Sequence, residues 1–132
     1  MRRQVTVTFT IDSWDEKAYD EFDDGRKMTR ASIKKSFTGD VEGDGSLEYL
    51  MTYAEDGSAT FVGMERVVGR LGDRSGSFVL QHVGTYEGGI SRASLLVVPG
   101  SATGGLSGLE GEGSFVLGHD QPYTFTLDDN FE

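Results

Sequence analysis

Val5-Thr6-Val7-Thr8-Phe9-Thr10-Ile11-Asp12 alternates apolar and polar residues without a break. An extended chain there puts Val5, Val7, Phe9 and Ile11 on one face and the threonines and Asp12 on the other. The same period returns near the far end, where Tyr123, Phe125, Leu127 and Phe131 alternate with Thr124, Thr126, Asp128 and Asn130. Both segments read as half-buried antiparallel strands. Runs rich in Val, Thr, Phe and Tyr place six more strands between them, near 28–38, 46–55, 59–70, 75–86, 91–98 and 112–118.

The punctuation between these runs is that of an all-β chain. Of 132 residues 19 are Gly and only 2 are Pro, and Asp56-Gly57, Gly72-Asp73, Gly88-Gly89, Pro99-Gly100 and Asp120-Gln121-Pro122 are turn signals. The spacing suits hairpins of long strands and leaves no room for crossover helices. Only 103–110 could form one loose helical turn, and no 20–50-residue repeat is visible. An eight-stranded antiparallel up-and-down barrel is the economical arrangement of one domain, because closure removes exposed sheet edges. The acidic segment 15–27 holds six carboxylates with Tyr19 and Phe22. It reads as a long loop anchored by its aromatics, or as a lid over the barrel mouth.

Composition excludes several functions. There is no Cys, hence no disulfide scaffold, thiol nucleophile or thiolate-held metal. The net charge of −10 opposes phosphate contacts, so no nucleic-acid partner is expected. No apolar run is long enough to span a membrane, and the start lacks the apolar core of a signal peptide, so the expected location is cytoplasmic. Asp40-Val41-Glu42-Gly43-Asp44-Gly45-Ser46-Leu47-Glu48 follows a calcium loop for nine positions, but Met51 stands where its last carboxylate belongs. Gly100 and Gly105 have phosphate-loop spacing, with Leu106 where the lysine is needed. No nucleophile-elbow motif is present. His82 and His119 form no helical metal pair, so neither metal nor cofactor is expected.

One polar constellation survives. Read as a two-residue hairpin turn, Asp56-Gly57 sets Glu48 opposite Glu65, Leu50 opposite Gly63 and Thr52 opposite Phe61. Gly72-Asp73, read likewise, sets Glu65 opposite Leu80, with His82 diagonal to it. Two carboxylates about 5 Å apart repel by roughly 3 kcal/mol at an effective dielectric near 20, enough to raise one pKa by about two units. Arg30 and His82 are the available partners, and Glu48, Glu65 and His82 are the candidate catalytic residues. The alternative is that both glutamates face solvent, or that a bulge shifts the register by one residue.

Leu50, Phe61, Gly63, Val67, Phe78, Leu80 and Gly84 share the Glu48/Glu65/His82 face on this register, and that face is assigned to the lumen. The opposite face carries Tyr49, Met51, Tyr53, Val62, Met64, Val68, Val79 and Val83 with Arg66 and Gln81. It is also largely apolar, and a barrel has one inside, so a homo-oligomer is expected to cover it.

Ser13-Trp14-Asp15-Glu16, Met28-Thr29-Arg30-Ala31-Ser32, Phe37-Thr38-Gly39-Asp40-Val41-Glu42-Gly43, Phe61-Val62-Gly63-Met64-Glu65-Arg66-Val67, Gly76-Ser77-Phe78-Val79-Leu80-Gln81-His82 and Gly104-Gly105-Leu106-Ser107-Gly108-Leu109-Glu110-Gly111 resemble an uncharacterised bacterial domain-of-unknown-function family across essentially the whole chain. That family is similar in fold to allene oxide cyclase, an eight-stranded antiparallel barrel of the group that includes dirigent proteins. Related barrels cyclise reactive oxylipin or polyketide intermediates without a cofactor, and calycin-type barrels bind apolar small molecules. No allene oxide cyclase catalytic residue matches here, so none is carried over. The leading expectation is a barrel that binds a small, largely apolar molecule, with Arg30, Glu48, Glu65, His82, Leu50, Phe61 and Phe78 as contacts. A cofactor-free cyclase or isomerase using one glutamate as acid and the other as base is the second reading. A structural or partner-binding protein with a packed lumen is the third.

Overall fold

The computed structural model describes residues 2–118 and 123–130. Those residues form nine strands and no helix: β1 (Arg2–Glu21), β2 (Lys27–Gly39), β3 (Val41–Tyr53), β4 (Ala59–Leu71), β5 (Arg74–Glu87), β6 (Ile90–Val97), β7 (Thr103–Gly104), β8 (Glu110–Leu117) and β9 (Tyr123–Asn130). All ladders are antiparallel, in the order β4-β3-β2-β1-β9-β8-β6-β5, with the two-residue β7 added to β5. A further ladder joins β4 to β5 from Ala59↔Tyr86 to Leu71↔Arg74, so each of the eight long strands has a neighbour on both sides. His119, the turn signal at 120–122 and Phe131 lie outside the described residues, as do the side chains of 124–130.

The expected loop at 15–27 is strand over most of its length. β1 pairs with β2 as far as Glu21↔Lys27, and only Phe22–Arg26 turns, around Gly25. Register shifts between Ile11 and Ser13 and between Ala18 and Asp20 break the period of two, which hides the strand from an alternation reading. The calcium-loop look-alike is likewise strand after the turn residue Asp40, its remaining positions forming the first half of β3.

The Gly72-Asp73 turn behaves as expected, with Leu71 opposite Arg74. The Asp56-Gly57 turn does not. Ala54 N–H bonds Ser58 O, and Gly57 N–H bonds Ala54 O, leaving Glu55, Asp56 and Gly57 as a three-residue loop. Gly57 takes φ +87°, the left-handed position that follows a type I turn in such loops. The Asp56 carboxylate accepts from Ser58 N–H and Oγ–H and holds the turn. The extra residue moves β3 by one position against β4, so Leu47 opposes Glu65 and Glu48 opposes Met64. Every β3 side chain therefore faces the other way from the expectation.

Phe78, Leu80, Val67, Leu71 and Val41 pack one end of the buried face with Leu106 and Leu109. The last two come from successive tight turns after Thr103, the loose turn expected at 103–110. The opposite end, toward Tyr53, Tyr86 and Tyr123, is where the cavity lies.

Candidate functional site

The cavity has a volume of about 390 Å³ and is open at one side. Its wall is mainly aromatic and aliphatic, including Phe9, Trp14, Ile33, Met51, Phe61 and Phe115. Two polar side chains from the core also border it, Lys35 on β2 and Tyr49 on β3. Lys35 falls on the buried parity of its strand, with Thr29, Ala31, Ile33 and Phe37. The alternation that buries those residues buries the lysine with them.

Behind these two lie Glu65 and His82, both 0% exposed. Glu65 Oε1 is 2.9 Å from His82 Nε2, and His82 Nδ1 is 3.1 Å from the Tyr49 hydroxyl. Lys35 Nζ stands 3.5 Å from Oε1 and 3.4 Å from Oε2 of the same carboxylate, and 4.2 Å from the centre of the Phe9 ring. Lys35 and Tyr49 thus meet the cavity at the two ends of one buried polar chain, and Glu65 and His82 join them from below.

Charge states follow from the surroundings. Burial pushes the Glu65 carboxyl up, but Lys35 and then His82 outweigh it and hold the group below the usual carboxylate range. Burial pushes His82 down despite Glu65, so its imidazole is neutral at pH 7. Burial also pushes the Lys35 ammonium down, against the pull of Glu65. The Tyr49 phenol is pushed up, first by burial and then by Glu65, and stays protonated. An ionised carboxylate only accepts, so Nε2–H of His82 donates to Glu65 and Nδ1 accepts from the Tyr49 hydroxyl.

Glycines make the room for this packing. A Cβ on Gly45 would lie 2.5 Å from Glu65 Oε2, and one on Gly63 would collide with the Tyr49 ring. Gly63 is directly opposite Tyr49 in the β3–β4 ladder, so the ring lies across bare backbone.

A second polar group stands at the cavity's edge. Glu16 accepts from the Tyr53 hydroxyl at 2.5 Å, the Thr29 hydroxyl at 2.7 Å and Trp14 Nε1–H at 2.9 Å. Burial alone would raise its pKa, but these hydrogen bonds, helped by Lys27, bring it below the ordinary value.

The predicted site residues divide in two. Glu65, His82, Phe61 and Phe78 lie on the buried face; Phe61 lines the cavity, while Phe78 belongs to the packed end. Glu48 and Leu50 lie on the exposed face because of the register change in β3, and Arg30 lies there by the alternation of β2, between buried Thr29 and Ala31. There Glu48 is held by Arg30 at 2.7 Å and by Ser32, well apart from Glu65. Tyr49 and Met51, expected on the outside, line the cavity; Val62, Met64, Val68 and Val83 are exposed as expected. Lys35 is absent from the predicted set, although its parity with Ile33 and Phe37 is the available signal. Among the described residues no three His, Asp or Glu side chains converge as a metal-binding group. No helix among them is long and apolar enough to cross a membrane.

Comparison with known proteins agrees with the family resemblance. A family model described as a protein of unknown function (DUF3224) matches residues 5–128. A crystal structure of a DUF3224 protein with unknown function from Shewanella oneidensis MR-1 is 33% identical, with a TM-score of 0.85, over 100% of this chain and 99% of that one. No curated protein matches the chain. The chain belongs to the DUF3224 family.

Proposed function

We propose that the eight strands act as a barrel that binds a small, largely apolar molecule in the cavity between Trp14 and Lys35. The observation that carries this reading is the cavity itself: about 390 Å³, walled by aromatic and aliphatic side chains, with Lys35 and Tyr49 at its floor. That volume lies within the range of sites for small organic ligands, which combine apolar walls with a few fixed polar groups. The ladder between β4 and β5 supports closure, since it leaves neither strand with an open edge. The outer apolar side chains Leu50, Val62, Met64 and Val83 lie together on adjacent strands, and a second copy of the chain is the proposed cover for them.

The test uses the neutral apolar dye N-phenyl-1-naphthylamine, whose emission rises in a dry site. Binding to the wild type, lost in Ser91→Tyr and retained in Met64→Asp, supports the cavity as the site. Binding that survives Ser91→Tyr but not Met64→Asp, or no binding at all, overturns it. Native mass spectrometry of freshly purified protein, followed by denaturing extraction, identifies any molecule that the cavity carries.

A further inference from the structure

We infer that Lys35 is a covalent anchor, forming an imine with an apolar aldehyde or ketone that enters the cavity. The inference rests on the cavity reading above and names the ligand class. Four lysines occur in the chain, and Lys17, Lys27 and Lys34 are exposed. Lys35 alone of the four is buried, 4% exposed, and alone lines the cavity. Desolvation in an apolar pocket is a general means of giving a lysine amine nucleophilic character at neutral pH, and burial holds the Lys35 ammonium below the ordinary lysine value.

Imine formation also needs a group that takes a proton and returns it, and Glu65 is placed for both. His82 Nε2–H occupies Oε1 at 2.9 Å. Oε2 has no hydrogen-bond partner among the described residues, and its charged neighbour is Lys35 Nζ at 3.4 Å. The ammonium passes one proton to Oε2, and the freed Nζ lone pair attacks the carbonyl carbon, whose π electrons go to oxygen. Nitrogen loses a second proton to that oxygen, giving a carbinolamine. The Glu65 carboxylic acid then protonates the hydroxyl, the C–O bond breaks, and water leaves. The product is an iminium cation beside a carboxylate, so the buried site holds one positive and one negative charge before and after. No oxidant or reductant is consumed.

An apolar ligand suits the walls, and a carbonyl gives it the single reactive point that the floor can address. A carboxylate ligand fits less well, because Glu65 already neutralises Lys35 and the chain carries a net charge of −10.

The experiment incubates the folded protein with cinnamaldehyde and sodium cyanoborohydride, then maps the reduced adducts by peptide mass spectrometry. Lys35 should carry most of the label, with about tenfold more free amine for each pKa unit by which it lies below an exposed lysine. Cinnamaldehyde should displace N-phenyl-1-naphthylamine from the wild type, and cinnamyl alcohol, which cannot form an imine, should compete with the labelling. Lys35→Arg should lose the label while Lys34→Arg, on the exposed face of β2, keeps it. Label confined to Lys17, Lys27, Lys34 and the amino terminus, with dye displacement intact, overturns the imine and leaves the cavity reading standing. Neither label at Lys35 nor dye displacement overturns both.

Discussion

Glu65 occupies the space that a side chain at position 45 would need: a Cβ on Gly45 would meet its Oε2 at 2.5 Å and the Phe37 ring at 2.6 Å. Neither neighbour is free to move, since the carboxylate is tied to His82 and Lys35 and the ring is buried in the core. Gly45→Ala should therefore lose about 1–3 kcal/mol, the usual cost of overpacking. Urea unfolding should show a lower midpoint with an unchanged slope.

Removing one charge of the buried pair should cost more than removing both. Glu65→Gln leaves the Lys35 ammonium without its counter-charge, and loss of one partner of a buried pair costs about 3–5 kcal/mol. In the double variant Lys35→Met/Glu65→Gln the new side-chain amide still offers its carbonyl oxygen to His82, and no buried charge remains. The double variant should be more stable than Glu65→Gln alone, which a double-mutant cycle reads directly.

Acid should weaken the fold in two stages with the same sign. His82 has its pKa lowered in the native state, so the unfolded chain takes up a proton first and stability falls below about pH 6.5. Glu65 is also lowered; its contribution is complete above the unfolded value near 4.3 and is lost as pH falls through the native one. Each limb has a slope of at most about 1.4 kcal/mol per pH unit. His82→Gln should abolish the first limb, measured as Tm against pH, and keep an acid limb below about pH 5.

Two methionines on the central strands should give opposite results. Met51 lines the cavity from the buried face, and Met51→Asp should unfold the protein. Met64 is 52% exposed, so Met64→Asp should leave the circular dichroism and Tm close to wild type. If a second copy covers this face, sedimentation should show that variant as a monomer of about half the wild-type mass or less; an unchanged mass would remove Met64 from the interface.

The strands were legible wherever the period of two was kept. Val5 to Ile11 and the hairpin turning at Gly72-Asp73 follow directly from alternation and turn chemistry. β1 was legible only in its first half, because two register shifts carry it through an acidic stretch that has no constant apolar side. The site was half legible. Glu65 and His82 emerged from the β4–β5 register, which was right, and Glu48 was set beside them by a β3–β4 register that was one residue out. Lys35 stood in plain alternation with Ala31, Ile33 and Phe37, but a lysine is expected to be exposed unless a buried carboxylate waits for it. That carboxylate comes from β4, beyond the reach of a local pattern.

The loop Glu55-Asp56-Gly57 works as a reading frame for the chain before it. Strand faces alternate one residue at a time, so closing the same sequence over a two-residue turn would slide β3 by one against β4 and exchange the environments of Leu47, Tyr49 and Met51 with those of Ser46, Glu48 and Leu50. Tyr49 would leave His82, and an exposed glutamate would enter the floor of the cavity. The Asp56 carboxylate on Ser58 and the left-handed Gly57 thus choose which side chains of β3 reach the buried site, although none of the three loop residues is part of it.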